Sequence, residues 1–193
     1  MLPVGSLSDW ETTADGLIVA LGRPDTEGQD VQAFGLDPVS GMLLWQTPVG
    51  QTATSTGGTL DLDGDGRGLV VATVITDATS ALVALDGATG ALRWTAPLQS
   101  ELYGRVYITR GAQPAVVYGA GGAQEVKSAT AYDAATGAFR WQNENIGADA
   151  VLADDTHIVG AGPTLSYLNA LVSVDGETGE MVWSQYQTLV DGS

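Results

Sequence analysis

The 193-residue chain has no cysteine, one lysine, one histidine and two phenylalanines. Without cysteine there is no thiol nucleophile, no thiolate metal site and no disulfide, and that absence fits a reducing or an oxidising compartment alike. Positive charge is scarce: seven Lys and Arg stand against 23 Asp and Glu, for a formal net charge of -16. The arginines are scattered along the chain, which makes nucleic acid and anionic membrane surfaces poor partners, because phosphate contacts need clustered cations. No run approaches the roughly 20 apolar residues of a membrane span. Met1-Leu2-Pro3-Val4-Gly5 lacks the basic start and apolar core of a secretion signal.

What is present describes a globular β protein. Apolar residues make up 44% and charged residues 16%, enough to bury a core, and 26 glycines call for many tight turns. The Val, Thr, Leu, Trp and Tyr content suits strands better than helices, so the expected class is all-β.

One line recurs four times: Asp is followed four residues later by Gly and eight residues later by Trp. The copies are Asp37, Gly41, Trp45; Asp86, Gly90, Trp94; Asp133, Gly137, Trp141; and Asp175, Gly179, Trp183, with starts 49, 47 and 42 residues apart. Such a period is that of a propeller blade. Asp accepts backbone N–H groups at the start of a turn, the Ser or Thr before Gly does the same, and Gly supplies the positive φ that closes a hairpin with a bulge. After Gly the period is two, which predicts that Leu43 and Trp45, Leu92 and Trp94, Phe139 and Trp141, and Met181 and Trp183 share one buried face. Two residues before each Asp stands a small residue, Gly35, Ala84, Ala131 or Ser173, read as a place where a neighbouring sheet approaches and Trp fills the gap.

Upstream of each copy an apolar run reads as an inner strand: 17–21, 69–74, 115–118 and 157–159. A further strand is expected before the last three of these, near 56–60, 105–109 and 150–153, giving about four strands per blade.

These lines resemble the blade motif of the PQQ-like (quinoprotein-type) repeat family, Ala-x-Asp-x-x-Thr-Gly-x-x-x-Trp. Ala84–Trp94 and Ala131–Trp141 match it fully; the first copy has Gly35 and Ser40, and the last has Ser173, where the pattern has Ala, Thr and Ala. The resemblance implies a β-propeller of four-stranded blades, here over 6–50, 51–99, 100–145 and 146–188. Relatives usually close about seven or eight blades, so a piece of a larger propeller is expected, with a half-ring that dimerises and a closed four-blade ring as alternatives. Pro3-Val4-Gly5 repeats Pro48-Val49-Gly50, as an exit from an earlier blade would.

Asp61, Asp63 and Asp65, with Gly66 and Arg67, place carboxylates at positions one, three and five of a loop that can wrap a hard cation. The loop resembles calcium loops of FG-GAP repeats and EF-hands, but Leu69 and Ala72 stand where those place an acid. A bound calcium and a bare acidic turn both remain open. His157 after Asp154-Asp155-Thr156 reads as a hairpin leading into a strand, or less readily as an acid–base pair. Gly119-Ala120-Gly121-Gly122 lacks the following helix that a phosphate loop needs. Trp10, Tyr103, Tyr107, Tyr118, Tyr167 and Tyr186 lie outside the motif and read mostly as blade packing, with some free to line a binding surface.

The resemblance implies a non-catalytic module offering its faces to other proteins or to surface ligands, like propellers that scaffold bacterial outer-membrane protein assembly or serve receptor kinases as sensors. Two alternatives stand beside it: a calcium-stiffened adhesion or carbohydrate-binding propeller, and part of a quinoprotein alcohol or sugar dehydrogenase. The dehydrogenases bind PQQ and Ca²⁺ on the propeller axis, and no axial Glu, Asn and Asp set can be assigned here, so PQQ is not expected. Composition bias toward Ala, Gly, Thr and Arg over Lys, with the habit of relatives, implies an exported bacterial chain.

Overall fold

The computed structural model describes residues 6–13, 16–23, 30–50, 52–60, 68–76, 79–98, 104–120, 128–146, 151–152, 156–162 and 170–186. Among these residues there are sixteen strands and no helix, and so no helix long and apolar enough to cross a membrane. The strands form four antiparallel sheets of four, each a meander in chain order. The first holds β1 (Ser6–Thr12), β2 (Ile18–Arg23), β3 (Val31–Leu36) and β4 (Leu43–Gly50). The second holds β5 (Thr52–Leu60), β6 (Leu69–Thr76), β7 (Thr79–Asp86) and β8 (Leu92–Leu98). The third is β9 (Gly104–Ile108), β10 (Ala115–Ala120), β11 (Ser128–Asp133) and β12 (Phe139–Asn143). The fourth is β13 (Val151–Leu152), β14 (His157–Gly162), β15 (Ala170–Asp175) and β16 (Met181–Tyr186).

The apolar runs of the sequence are the second strand of each sheet, hydrogen-bonded on both sides, which is why they carry little polarity on either face. Each Asp–Gly–Trp line joins the third strand to the fourth, as the turn chemistry requires.

The expected sharing of a face by Trp and the residue two before it does not hold. Trp45 pairs with Gly35, while Leu43 pairs with the adjacent Leu36, so Leu44 is an extra residue in β4. The same one-residue bulge recurs at Arg93, Arg140 and Val182. One extra residue moves everything beyond it to the other side of the sheet. Trp45, Trp94 and Trp141 are therefore buried, whereas Leu92 and Phe139 are each 60% exposed, and Leu43 and Met181 are exposed with them. The small residue before Asp also has a different neighbour from the one expected: Gly35, Ala84, Ala131 and Ser173 stand directly across the strand pair from the Trp of their own sheet.

By their contacts the residues form two compact units, Met1–Glu101 with Ala134–Ala138, and Leu102–Asp133 with Phe139–Ser193. In the first, Val19, Leu21, Ala33 and Trp45 pack against Val70, Val74, Val83 and Leu85 of the next sheet. In the second, Val117, Ala131 and Trp141 pack against Ile158, Val172 and Val174. Each unit is thus two sheets face to face over a mixed aliphatic and indole core.

Candidate functional site

The repeated turn is the best-defined polar construction in the chain. Asp86 Oδ1 accepts hydrogen bonds from the Thr89 N–H and the Thr89 hydroxyl, both at 2.8 Å, while the Gly90 N–H donates to the Asp86 carbonyl at 2.7 Å. The Thr89 hydroxyl also accepts from the Ala91 N–H at 3.3 Å. The Ser40 turn repeats this cage around Asp37, and the Thr178 turn repeats it around Asp175. Burial works to raise the Asp175 carboxyl, but the Thr178 and Glu177 donors and nearby His157 outweigh it and hold Asp175 below the usual carboxylate range. Gly41, Gly90, Gly137 and Gly179 close the turns at φ of 67, 70, 71 and 73°. In the second and third copies the bulge arginine braces the same aspartate, Arg93 to Asp86 at 2.6 Å and Arg140 to Asp133 at 2.5 Å.

Each caged turn is a socket. The Trp45 indole N–H donates to the Gly87 carbonyl at 2.8 Å, and the ring lies over Gly90, where an added β-carbon would come within 2.4 Å of Cε3. Trp94 donates to the Ala134 carbonyl at 2.9 Å and covers Gly137; Trp141 donates to the Gly176 carbonyl at 3.2 Å and covers Gly179. Two residues further on, Thr47 and Asn143 donate to the carbonyls of Gly90 and Gly179 at 2.6 and 2.9 Å. The motif residues named from the sequence are thus brought together in pairs, the Trp of one copy on the Asp–Gly turn of the next. Spacing alone gave no sign of this, because the partners lie some 40 residues apart.

A cleft of about 360 Å³ opens in the first unit between β4 and β8. It is lined by Pro48 and Val49 of β4, Val74 of β6, Val83 of β7, and Leu92 and Pro97 of β8. Its lining is mostly apolar, and it suits an inserted hydrocarbon side chain rather than acid–base chemistry.

The other residues singled out by sequence divide as follows. Asp61, Asp63 and Asp65 lie outside the described residues; Leu60 and Leu69, which bracket their loop, pair across β5 and β6. Among the described residues no three His, Cys, Asp or Glu side chains gather as a metal would require. His157 begins β14 opposite Asp175, its Nδ1 3.0 Å from the Thr156 hydroxyl, while Asp154 and Asp155 lie outside the described residues. Gly119 and Ala120 end strand β10, and Gly121 and Gly122 are not described. Of the additional aromatics, Trp10 is exposed on β1, Tyr107 packs on the second unit's core, Tyr118 and Tyr186 are strand residues, and Tyr103 and Tyr167 lie outside the described residues. Sequence reasoning missed Glu11, half-buried on β1, whose carboxyl is pushed up to about 7 by burial and by neighbouring Asp9.

The family model described as outer membrane protein assembly factor BamB matches residues 27–189. The chain belongs to this PQQ-like propeller family. Its four sheets are accordingly blades, and similar folds occur among the solved structures, of which three serve as examples. BamB from Moraxella catarrhalis is 21% identical with a TM-score of 0.53 over 95% of this chain and 47% of that one. The Dos1 propeller is 13% identical, TM-score 0.61, over 95% of this chain and 47% of that one. A europium-containing methanol dehydrogenase is 13% identical, TM-score 0.61, over 96% and 43%. At these identities the likeness shows the fold alone, and the chain spans less than half the length of each structure. No curated protein sequence matches the chain.

Proposed function

We propose that the chain is a non-catalytic binding module whose blades present apolar side chains to a protein partner. The reading rests on one repeated observation: the bulge in each fourth strand turns a large apolar residue outward, Leu43, Leu92, Phe139 and Met181 in successive blades. Exposed apolar residues recurring at one structural position suit a partner surface better than solvent. In the first unit Leu92 also borders the apolar cleft, which offers an anchor pocket for an inserted side chain. With a formal net charge of -16, the partner's complementary surface is apolar and rimmed by Lys or Arg. The family's description as an assembly factor of outer membrane proteins agrees with a scaffold role in an extracytoplasmic compartment.

The polar residues of the motif are engaged in the turns, so a scaffold needs nothing more from them. Calcium at Asp61, Asp63 and Asp65 would stiffen the β5–β6 connection without altering this role. The test combines Leu92→Ser and Phe139→Ser in the full chain. Both side chains are exposed, so the cost to folding should stay near 0.5 kcal/mol at Leu92 and reach about 1 kcal/mol at Phe139, which loses its edge-on contact with Tyr132, while capture of a protein from a cell-envelope extract should be lost. Capture that survives the double substitution, or alcohol-dependent dye reduction after addition of PQQ and Ca²⁺, would overturn the reading. Melting with Ca²⁺ against chelator separates the calcium-stiffened alternative.

A further inference from the structure

The apolar cleft of the first unit is peculiar to its pair of blades. Counted from the motif tryptophan, Pro48 and Val49 of the first blade correspond to Glu144 and Asn145 of the third. In the same way Val83, Thr95 and Pro97 of the second blade correspond to Thr130, Gln142 and Glu144. The repeat itself therefore does not call for an apolar lining at these positions. The strands that border the cleft, β4 and β8, each complete a four-stranded sheet, and the two sheets share one core, so the cleft lies within the chain and not at either end of it. Building on the binding-module reading, we infer that this cleft receives an extended basic segment of a partner protein, whose apolar side chains enter it and whose Lys or Arg residues flank it.

The lining decides how such a segment is held. β4 and β8 are the last strands of their sheets and present open edges, but Pro48 and Pro97 each remove an amide donor there, which spoils the ladder that an added strand would need. The grip must then come from side chains. At about 360 Å³ the cleft stands at the lower end of the roughly 300–1,000 Å³ typical of ligand sites, so it admits a few side chains and not a folded surface. Ser80 and Thr95 are the polar side chains among its lining residues, and none of these is charged, so the groups that enter are apolar. Charge lies around the cleft instead. Pro48, Val49, Val74 and Pro97 come late in their strands while Ser80 and Ala81 come early in β7, which places all six toward one end of the sheets. The connections made at that end, 24–30 and 77–78, contain Asp25, Glu27, Asp30 and Asp77 and no cation, with Arg23 closing β2 before them. Asp30 is exposed, and the next residue, Val31, pairs with Gly50 directly after Val49. An apolar cleft at an acidic end complements a segment that joins apolar side chains to Lys or Arg.

Fluorescence anisotropy of the full chain with labelled synthetic peptides tests this. A short peptide with a Leu-Phe-Leu centre and lysine flanks should bind roughly tenfold or more tightly than one with the same centre and glutamate flanks, or one with lysine flanks and a Ser-Ser-Ser centre. Added salt should weaken the first peptide, because its flanks meet solvent-exposed acids. Thr95→Trp fills the cleft at an exposed position without altering charge, and should weaken binding by roughly tenfold or more. Should that variant fail to fold, Leu92→Gln, at a position 60% exposed, replaces it. Equal binding of the Ser-centred or the glutamate-flanked peptide overturns the inference, as does binding that Thr95→Trp leaves unchanged. Envelope-protein capture that persists in Thr95→Trp but is lost in the Leu92→Ser, Phe139→Ser chain would overturn the cleft as the docking site and leave the binding-module reading standing, whereas capture that survives the double substitution overturns that reading itself.

Discussion

Gly41 and Gly90 occupy the same place in the same kind of turn, yet only one of them is covered. Both have positive φ, so an alanine at either position costs about 1 kcal/mol in backbone strain. At Gly90 the new methyl must also displace Trp45, 2.4 Å away, which adds about 1–3 kcal/mol of overpacking. In denaturant unfolding of the monomer, Gly41→Ala should therefore be mild and Gly90→Ala severe. Equal losses would mean that the first turn is as covered as the second. The local half of this chemistry was legible in the sequence, because the Asp cage, the hydroxyl and the glycine lie within five residues of one another. The other half was not: the indole that makes Gly90 critical is Trp45, whose position over the turn follows from the packing of whole sheets.

At the scale of the strand, the bulge accounts for the main difference between expectation and structure. Strict alternation reads Leu92 and Trp94 as companions, and a single extra residue at Arg93 separates them. A pattern of apolar residues cannot reveal an insertion that the partner strand alone defines. The inner strands and their order, in contrast, followed from apolar runs punctuated by Asp, Gly and Pro, whereas β1, polar and without such a run, was not singled out. Strand β1 illustrates a second element-scale effect. It pairs with β2 and lies along β5 of the next blade, so Glu11 is half-buried where a wholly exposed edge would have left it solvated. Its carboxyl titrates near 7 in the folded chain against an ordinary 4.5, so between these values the folded state keeps a proton that the unfolded state releases. Stability conferred by the neutral form is fully present below pH 4.5 and is lost as pH rises through 7. Glu11→Gln should melt close to wild type at pH 4. At pH 8 it should be more stable by about 1 kcal/mol, the full shift being discounted for solvent screening of a half-buried group. A gain of the same size at both pH values would contradict this origin.

Across the whole chain, four blades repeat one construction, and each joint is local to neighbouring repeats, so stability is expected to accumulate joint by joint. The acidic excess and the fold class were readable from composition and period, and the family match agrees with the fold class. Whether the Asp61 loop holds calcium was not decided by its spacing, since the acids that complete such loops are missing. A motif tryptophan stabilises the chain only when a turn receives it, and the second unit holds both cases: Trp141 sits on Gly179 and is 8% exposed, whereas Trp183 is 42% exposed. Equilibrium unfolding of Trp141→Ala and Trp183→Ala, at a concentration where the chain is monomeric, tests this directly. Trp141→Ala should cost about 3–5 kcal/mol and Trp183→Ala less than about 1 kcal/mol; equal losses from the two would contradict the account.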